Sequence, residues 1–360
     1  MNLPISVVIP TYQRANLLGE TIESVLAQSH PAAEVIVVID GSTDDTERVC
    51  AQFAGKIICK KTSNYGMQAA RNTGVALSTS PWLAFCDDDD LMLPDHLEDV
   101  AKLVASCPQI NCVYSNFRFF GDDIDGLWKT RSMFEMAPDG FWEIDKHKMG
   151  ENAWLLTGPI ASKIMGTHDY EPFWPSALSV SRQFYDQIGG YNSIFHQTPG
   201  EDFEFLFRCL MRGGHIGITD SPTVHIRTHS SNDRGTDAKG RLRQRVGEIV
   251  VLGYVILHHN LPSSLRDAAL AKVDALSAEA ITAAFSSGQL EYVRALSPSL
   301  WKHRRCRSWK LMLKAATSLL PAKLGAALNR FLVRGKFIQS RPIDPYLKSR
   351  FNETVAALFG

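Results

Sequence analysis

The chain has no Cys-x-x-Cys pair, no glycine-rich nucleotide loop, no net charge and no long apolar run, and each absence removes a class of function. Its seven cysteines stand at 50, 59, 86, 107, 112, 209 and 306. Several lie inside apolar runs, the pattern of buried, reduced thiols in a reducing compartment rather than of a disulfide framework or a zinc site. Neither Gly-x-Gly-x-x-Gly nor Gly-x-x-x-x-Gly-Lys-Ser/Thr occurs, which argues against a dinucleotide enzyme and a P-loop NTPase. With 38 basic and 38 acidic side chains the formal charge is zero, so the overall balance makes no case for a nucleic-acid partner. No segment approaches the roughly 18 apolar residues of a membrane span. Met1-Asn2-Leu3-Pro4 leads into a strand-like run without a basic leader. The expectation is a cytoplasmic chain, soluble or at most peripheral on the cytoplasmic face of a membrane.

What is present is organised around Trp82-Leu83-Ala84-Phe85-Cys86 followed by Asp87, Asp88, Asp89 and Asp90. The apolar half reads as a strand buried on both faces. Four carboxylates then crowd its carboxyl end, where like charges repel and raise one another's pKa. A divalent cation relieves that repulsion, and hard oxygen ligands suit Mg²⁺ or Mn²⁺. The competing reading is a solvated acidic turn capping a helix that begins near Pro94. Position favours the site, because open α/β sheets bind ligands at the carboxyl ends of their strands.

At 360 residues and 40.0 kDa the chain holds one large α/β domain with an appended region. Strand-like runs at Ile5–Ile9, Val35–Ile39, Ile57–Cys59 and 82–86 alternate with helical spacings. The first helix carries Leu18, Ile22, Val25 and Leu26 with Asn16 as a candidate N-cap. The second carries Thr46, Val49, Cys50 and Phe53 behind a Ser42–Asp45 capping box. The third follows Asn64-Tyr65-Gly66 and carries Gln68, Arg71 and Asn72. Right-handed crossovers make such an alternation a parallel sheet with helices on both faces. The loops after the first, second and fourth strands then open on one edge. Asp40 and the acidic run meet there with an arginine nearby, which is a nucleotide crevice in outline.

Four segments carry a resemblance: Val7-Val8-Ile9-Pro10-Thr11-Tyr12, Val37 to Asp44, Ala70-Arg71-Asn72-Thr73-Gly74, and Phe85 to Pro94. In their order and spacing they are similar to the family 2 glycosyltransferases of GT-A fold, over residues 1–115. The stretch from Ser176 through Ile188-Gly189-Gly190-Tyr191 to Gly200-Glu201-Asp202 resembles the acceptor side of the same family. The resemblance implies a GT-A (Rossmann-like), mostly parallel α/β sheet flanked by helices, with a C-terminal helical extension. Residues 1–238 would form the catalytic domain, 1–115 its nucleotide-sugar half and 116–238 its acceptor half. Residues 239–360 would form a basic, amphipathic helical region, with helices over Val246–Leu257 and Ala268–Phe285.

The implied activity is an inverting, metal-assisted transfer of a hexosyl or N-acetylhexosaminyl group from a nucleotide-diphosphate sugar to a hydroxyl of a glycan or lipid-linked glycan. Uridine is the first expectation for the base and thymidine the second. The resemblance assigns Asp202 as general base, although a carboxylate opening a helix is also a plain cap. It assigns Asp40 and Arg71 to the nucleobase, with Pro10, Thr11 and Tyr12 as the wall behind. Asp87 and Asp88 fall to ribose and outer-shell contacts, and Asp89 to the metal, Mn²⁺ or Mg²⁺. His229 is the candidate to complete the metal shell; His225 competes with it but reads more easily as an inward strand residue. Glu201 lies on the acceptor side.

Among Trp128, Trp142, Trp154, Phe173 and Trp174, most pack a loop-rich layer over the sheet. Trp174, before Pro175-Ser176-Ala177, is the candidate to stack on an acceptor sugar. From Arg294 to Arg341 there is no acidic residue, and basic residues alternate with Trp, Leu and Phe. That composition suits a helix lying on an anionic membrane, and equally a subdomain that packs on the catalytic domain or mediates oligomers. Two other function classes stay open: a sugar-1-phosphate nucleotidyltransferase and a non-catalytic sugar-nucleotide binder.

Overall fold

The computed structural model describes residues 3–121, 131–144, 146–149, 153–156, 160–167, 170, 172–196, 198–229, 237–302 and 344–359. Trp128 and the basic run from 303 onward lie outside them, so the expectations placed there have no structural counterpart. The chain divides into two compact units. The first comprises 1–163, 169–196 and 201–229, and the second 164–168, 197–200 and 230–360.

The first unit is built on β1 (Ile5–Thr11), α1 (Ala15–Leu26), β2 (Glu34–Asp40), α2 (Thr46–Ala51), β3 (Ile58–Thr62), α3 (Met67–Leu77) and β4 (Trp82–Phe85). It continues with β5 (Leu91–Met92), α4 (His96–Ser106), β6 (Cys112–Gly121), α5 (Met133–Met136), β7 (Lys146–Lys148), β8 (Ala153–Leu156) and the start of α6 (Ile160–Gly166), which from Ile164 on belongs to the second unit. A 3₁₀ turn at Pro175–Ala177, β9 (Leu178–Ser181), α7 (Arg182–Ile188), α8 (Glu201–Met211) and β10 (Ile216–Thr228) complete it.

The strands form one sheet in the order β3-β2-β1-β4-β9-β6-β10-β8-β7, with β5 paired to β10. From β3 to β4 the pairing is parallel, as the strand–helix alternation requires. β1 is buried along its whole length and β2 from Val35 on, which is why both read as unbroken apolar runs. β9 departs from the simple alternation: it inserts antiparallel between β4 and β6, with Ser179 opposite both Ala84 and Val113. β6 and β10 then run parallel.

Two details position the site. The Cys86 amide still donates to Val8 O at 3.1 Å, so the acidic run begins where pairing with β1 ends. β5 then folds back against β10, Leu91 opposite His225 and Met92 opposite Val224. The carboxyl end of β10, and with it His229, is thereby drawn toward Asp89.

Two local expectations are corrected. Asn16 lies inside α1, whose cap position is Arg14; Asp44 instead accepts the Ala15 amide at 3.0 Å. No Ser42–Asp45 capping box forms. Asp44 takes the Thr46 amide at 3.2 Å, while Ser42 accepts from the Gln13 amide at 3.0 Å. Competition among neighbouring short polar side chains decides such caps, and spacing alone does not rank the competitors.

The second unit, among the described residues, is helical: α9 (Ala238–His258), α10 (Ser263–Ser287), α11 (Leu290–Lys302) and α12 (Pro345–Phe359). α10 packs on α9 and α11, and α12 on α9. Val246, Ile249, Val250 and Val255 of α9 are buried, as are Ala269, Val273, Leu276 and Ile281 of α10. Gly253 sets the approach of α12, since a Cβ there would stand 2.1 Å from Thr354 Cγ2. Among the described residues no helix is long and apolar enough to cross a membrane.

Candidate active site

The acidic run is held by cations and hydroxyls from four other segments. Arg71, on α3, is 1% exposed and donates to Asp87 Oδ1 at 2.7 Å and to Glu201 Oε1 at 3.3 Å. Its guanidinium lies 5.0 Å from the centre of the Tyr191 ring. Burial works against its charge, but Asp87, with Tyr191 and Glu201, holds its pKa above the ordinary value. One cation thus ties the end of β4 to the first turn of α8. Ser176 adds a second tie: its hydroxyl accepts the Asp87 amide at 2.9 Å and donates to Asp90 Oδ2 at 2.5 Å. Arg227 adds a third, its amide on Asp90 Oδ1 at 2.8 Å and its Nε on Asp89 O at 2.7 Å. The Arg227 guanidinium also lies 4.4 Å from the centre of the Phe120 ring.

Burial, then the neighbouring Asp89 and Asp87 charges, raises the Asp90 carboxyl well above its usual range. Burial and then Asp89 push Asp88 up to about 7. Asp88 accepts the Tyr12 amide at 3.2 Å, so the β1 and β4 loops meet there. Pro10 and Thr11 are buried at the end of β1, whereas the Tyr12 side chain is 39% exposed.

Asp40, 3% exposed, closes β2 and accepts three bonds from the 62–66 segment. Oδ1 accepts from Tyr65 N at 2.9 Å and Thr62 Oγ1 at 3.1 Å, and Oδ2 from Gly66 N at 2.7 Å. Gly66 has φ +91°, and a Cβ there would stand 2.6 Å from His196 Nδ1, so only glycine fits. Asp40 therefore shapes the 64–66 turn as it enters the crevice.

Asp89 and His229, 140 residues apart, come together: Asp89 Oδ2 lies 3.0 Å from His229 Nε2. Arg14 Nη1 stands against both, 2.5 Å from Asp89 Oδ2 and 2.8 Å from His229 Nε2. Gln13, just before it, has φ +56°, a left-handed backbone that a non-glycine residue adopts at a cost. The Gln13 amide bond to Ser42 and its Nε2 bond to Thr43 Oγ1 at 2.8 Å hold that conformation. Asp89 Oδ2 and His229 Nε2 are one oxygen and one nitrogen donor that a divalent cation could share, the nitrogen suiting a transition metal such as Mn²⁺ better than Mg²⁺. Among the described residues no group of three or more His, Cys, Asp or Glu side chains forms a ready-made metal cluster. His225 faces elsewhere, half-buried in β10 with its ring 5.8 Å from that of Phe120, and burial lowers its pKa.

Glu201 and Asp202 open α8. Burial raises the Glu201 pKa, with Arg71 opposing it. Asp202 Oδ1 accepts the Phe203 amide at 2.8 Å, the capping contact that a carboxylate finds at a helix start. The helix is locked by Glu204, which binds Arg208 at 2.7 and 2.9 Å. Arg208 in turn reaches Ile188 O and Gly190 O at 2.5 and 2.7 Å. Asn72, beside Arg71, brackets Tyr191 by accepting its amide at 2.9 Å and donating to its carbonyl at 2.8 Å. Trp174 packs edge-on against Phe119 at 5.5 Å and Phe117 at 6.0 Å.

Asp87, Asp88, Asp89, Arg71, Glu201, Tyr12 and His229 thus come together at one edge of the sheet. Arg14, Ser176 and Arg227 escaped sequence reasoning as members of this network. Arg14 and Arg227 carried a faint signal, since four crowded acids need compensating cations; Ser176 carried none.

Residues 6–173 match the family model described as glycosyl transferase family 2. An uncharacterized glycosyltransferase of Rickettsia typhi is 28% identical over 234 residues, which are 58% of this chain and 71% of that protein. S. aureus TarS 1–349 in complex with UDP superposes with a TM-score of 0.55 at 16% identity, covering 98% of this chain and 89% of that one. The mannosyltransferase PcManGT from Pyrobaculum calidifontis, in complex with GDP-Man and Mn²⁺, superposes with a TM-score of 0.52 at 19% identity, covering 98% and 86%. Identities this low make the structural likeness one of fold, and that fold is GT-A.

Proposed function

Because the chain belongs to glycosyl transferase family 2 and is a glycosyltransferase, we propose that it moves a hexosyl or N-acetylhexosaminyl group from a nucleotide-diphosphate sugar to a hydroxyl of a glycan or lipid-linked glycan, with inversion. The observation that carries this reading is the Arg71 bridge. It sets the acids at the end of β4 and the Glu201–Asp202 turn of α8 on one guanidinium.

On the donor side, Asp40 and the turn it organises meet the nucleobase, with Pro10, Thr11 and Tyr12 behind it. Arg71 belongs to this set as a positioning residue, fixing Asp87 while Asp87 and Asp88 face the ribose. Asp89 and His229 would hold Mn²⁺ or Mg²⁺, which when bound supplies positive charge beside the leaving diphosphate. The Mn²⁺ and GDP-Man recorded with PcManGT, and the UDP recorded with TarS, support a nucleotide-sugar donor and a metal here.

On the acceptor side, Asp202 takes the proton of the attacking hydroxyl. That oxygen displaces the nucleoside diphosphate from the opposite face of the anomeric carbon in one step, so no enzyme nucleophile is needed. Glu201 and Trp174 line the approach. A lipid-linked acceptor at the cytoplasmic face of a membrane suits the basic 294–341 segment, most of which lies outside the described residues.

The test is a screen of UDP-, TDP- and GDP-sugars for release of free nucleoside diphosphate, with and without Mn²⁺. Release that depends on an added acceptor supports transfer. Binding without release would leave a non-catalytic binder, and release of pyrophosphate from a nucleoside triphosphate and a sugar phosphate would mark a nucleotidyltransferase.

A further inference from the structure

We propose that Arg14 is a resident cation in the seat of the metal, and that the divalent ion and the Arg14 guanidinium compete for Asp89 and His229. This rests on the reading of that pair as metal ligands. The guanidinium nitrogen, the carboxylate oxygen and the imidazole nitrogen form a triangle with sides of 2.5, 2.8 and 3.0 Å. Arg14 Nη1 can only donate, so in the tautomer with Nε2 unprotonated His229 offers it the same lone pair that a metal would use, and Asp89 Oδ2 and His229 Nε2 then share one cation rather than bonding each other.

The competition has a purpose in the electrostatics of the loop. Without a cation, Asp89 would face the other acids of the run at short range, and its partial burial, which keeps out the water that would screen them, would sharpen the repulsion. Arg14 neutralises the loop while no donor is present. A metal alone must displace it from two partners, so the donor-free enzyme binds metal weakly. A nucleoside diphosphate brings negative oxygens that serve both cations at once: they complete the metal shell and accept the displaced guanidinium. Metal and donor then bind with positive coupling, and the coupling is reciprocal. Arg14 lies outside the four segments that carry the family resemblance, and its three-way contact marks it. Its backbone carbonyl, not its side chain, takes the Leu17 and Leu18 amides at the start of α1. Side-chain substitution therefore leaves that helix start intact.

The experiment titrates Mn²⁺ into the full chain without any sugar donor, following free Mn²⁺ by electron paramagnetic resonance, for wild type and Arg14→Gln. Each is then repeated in an Asp89→Asn background and again with UDP or GDP present. The expected result is Mn²⁺ affinity on the order of tenfold higher in Arg14→Gln than in wild type. The nucleotide should strengthen Mn²⁺ binding in wild type and do so much less in Arg14→Gln. Thermal melts add a second readout: Arg14→Gln should melt lower than wild type without metal and recover with Mn²⁺. Equal or weaker Mn²⁺ affinity in Arg14→Gln overturns the competition while the metal site stands, provided Asp89→Asn still abolishes binding. Mn²⁺ binding that ignores Asp89→Asn overturns the metal reading itself, and the competition with it.

Discussion

The acidic edge of the sheet and the aromatic layer at residues 133–174 are both well packed, yet they are held by opposite physics. At the edge each acid has a counterpart: Asp87 has Arg71, Asp88 the Tyr12 amide, Asp89 Arg14, and Asp90 Ser176 and the Arg227 amide. In the aromatic layer Phe134, Phe141, Trp142, Tyr170 and Phe173 meet ring to ring at 4.7–6.5 Å. Two hydroxyl bonds pin it: Trp142 Nε1 to the Tyr170 hydroxyl at 3.0 Å, and that hydroxyl to Met133 O at 2.7 Å. A buried charge left without its partner is costly, whereas an apolar ring replaced by another apolar group of like volume loses little. The edge should therefore be brittle to conservative change and the layer forgiving.

The largest effect expected at the edge is catalytic. Asp202→Asn should cut turnover by a factor on the order of 10² to 10⁴ while leaving donor binding nearly intact, read by single-turnover kinetics beside a donor titration. Loss of both together would remove Asp202 as the base. Asp89→Ala should abolish the response of activity to added Mn²⁺ or Mg²⁺ and leave residual metal-independent turnover.

Next in size is a buried polar group that sits in neither region. His96, at the start of α4, is wholly buried, with Nδ1 3.1 Å from Thr223 Oγ1, and burial lowers its pKa to about 4. As pH falls from about 6.5 to about 4, the unfolded chain takes up a proton there that the folded chain refuses. Stability from this group is present above that window and is lost through it, by up to about 3 kcal/mol. Denaturant unfolding at pH 7 and pH 4 should show a smaller acid loss in His96→Phe than in wild type.

Arg71→Lys then separates the two regions directly. A lysine keeps the charge but cannot fork to both Asp87 and Glu201, and should cost about 2 kcal/mol of unfolding free energy. Phe141→Leu, at an equally buried site in the aromatic layer, should cost less than about 1.5 kcal/mol. Equal costs for the two would dissolve the distinction between them.

The same distinction explains what could be foreseen. Parallel strands from β1 to β4 were legible because burial on both faces writes an unbroken apolar run into β1 and β2. The acids at the end of β4 were legible as a site because they stand at the carboxyl end of a buried strand, where open α/β sheets bind ligands. The antiparallel insertion of β9 was not, since Leu178–Ser181 is a short run whose two neighbours lie 95–99 and 64–68 residues away in the chain. Asp44 took the place of Asn16 and Ser42 because α1 begins before Asn16 and the Ser42 hydroxyl is taken by the Gln13 amide.

By itself, the amino-acid order determined the alternation of strands and helices, the edge at which the strands end and the acids gathered there, because all of these follow from local periodicity and chain direction. Only the folded chain decided which cation meets which acid. Arg14 reaches Asp89 across 75 residues and His229 across 215, and such pairings depend on β5 turning back onto β10. No periodicity encodes an approach between side chains so far apart; it exists once the sheet has brought their backbones within reach.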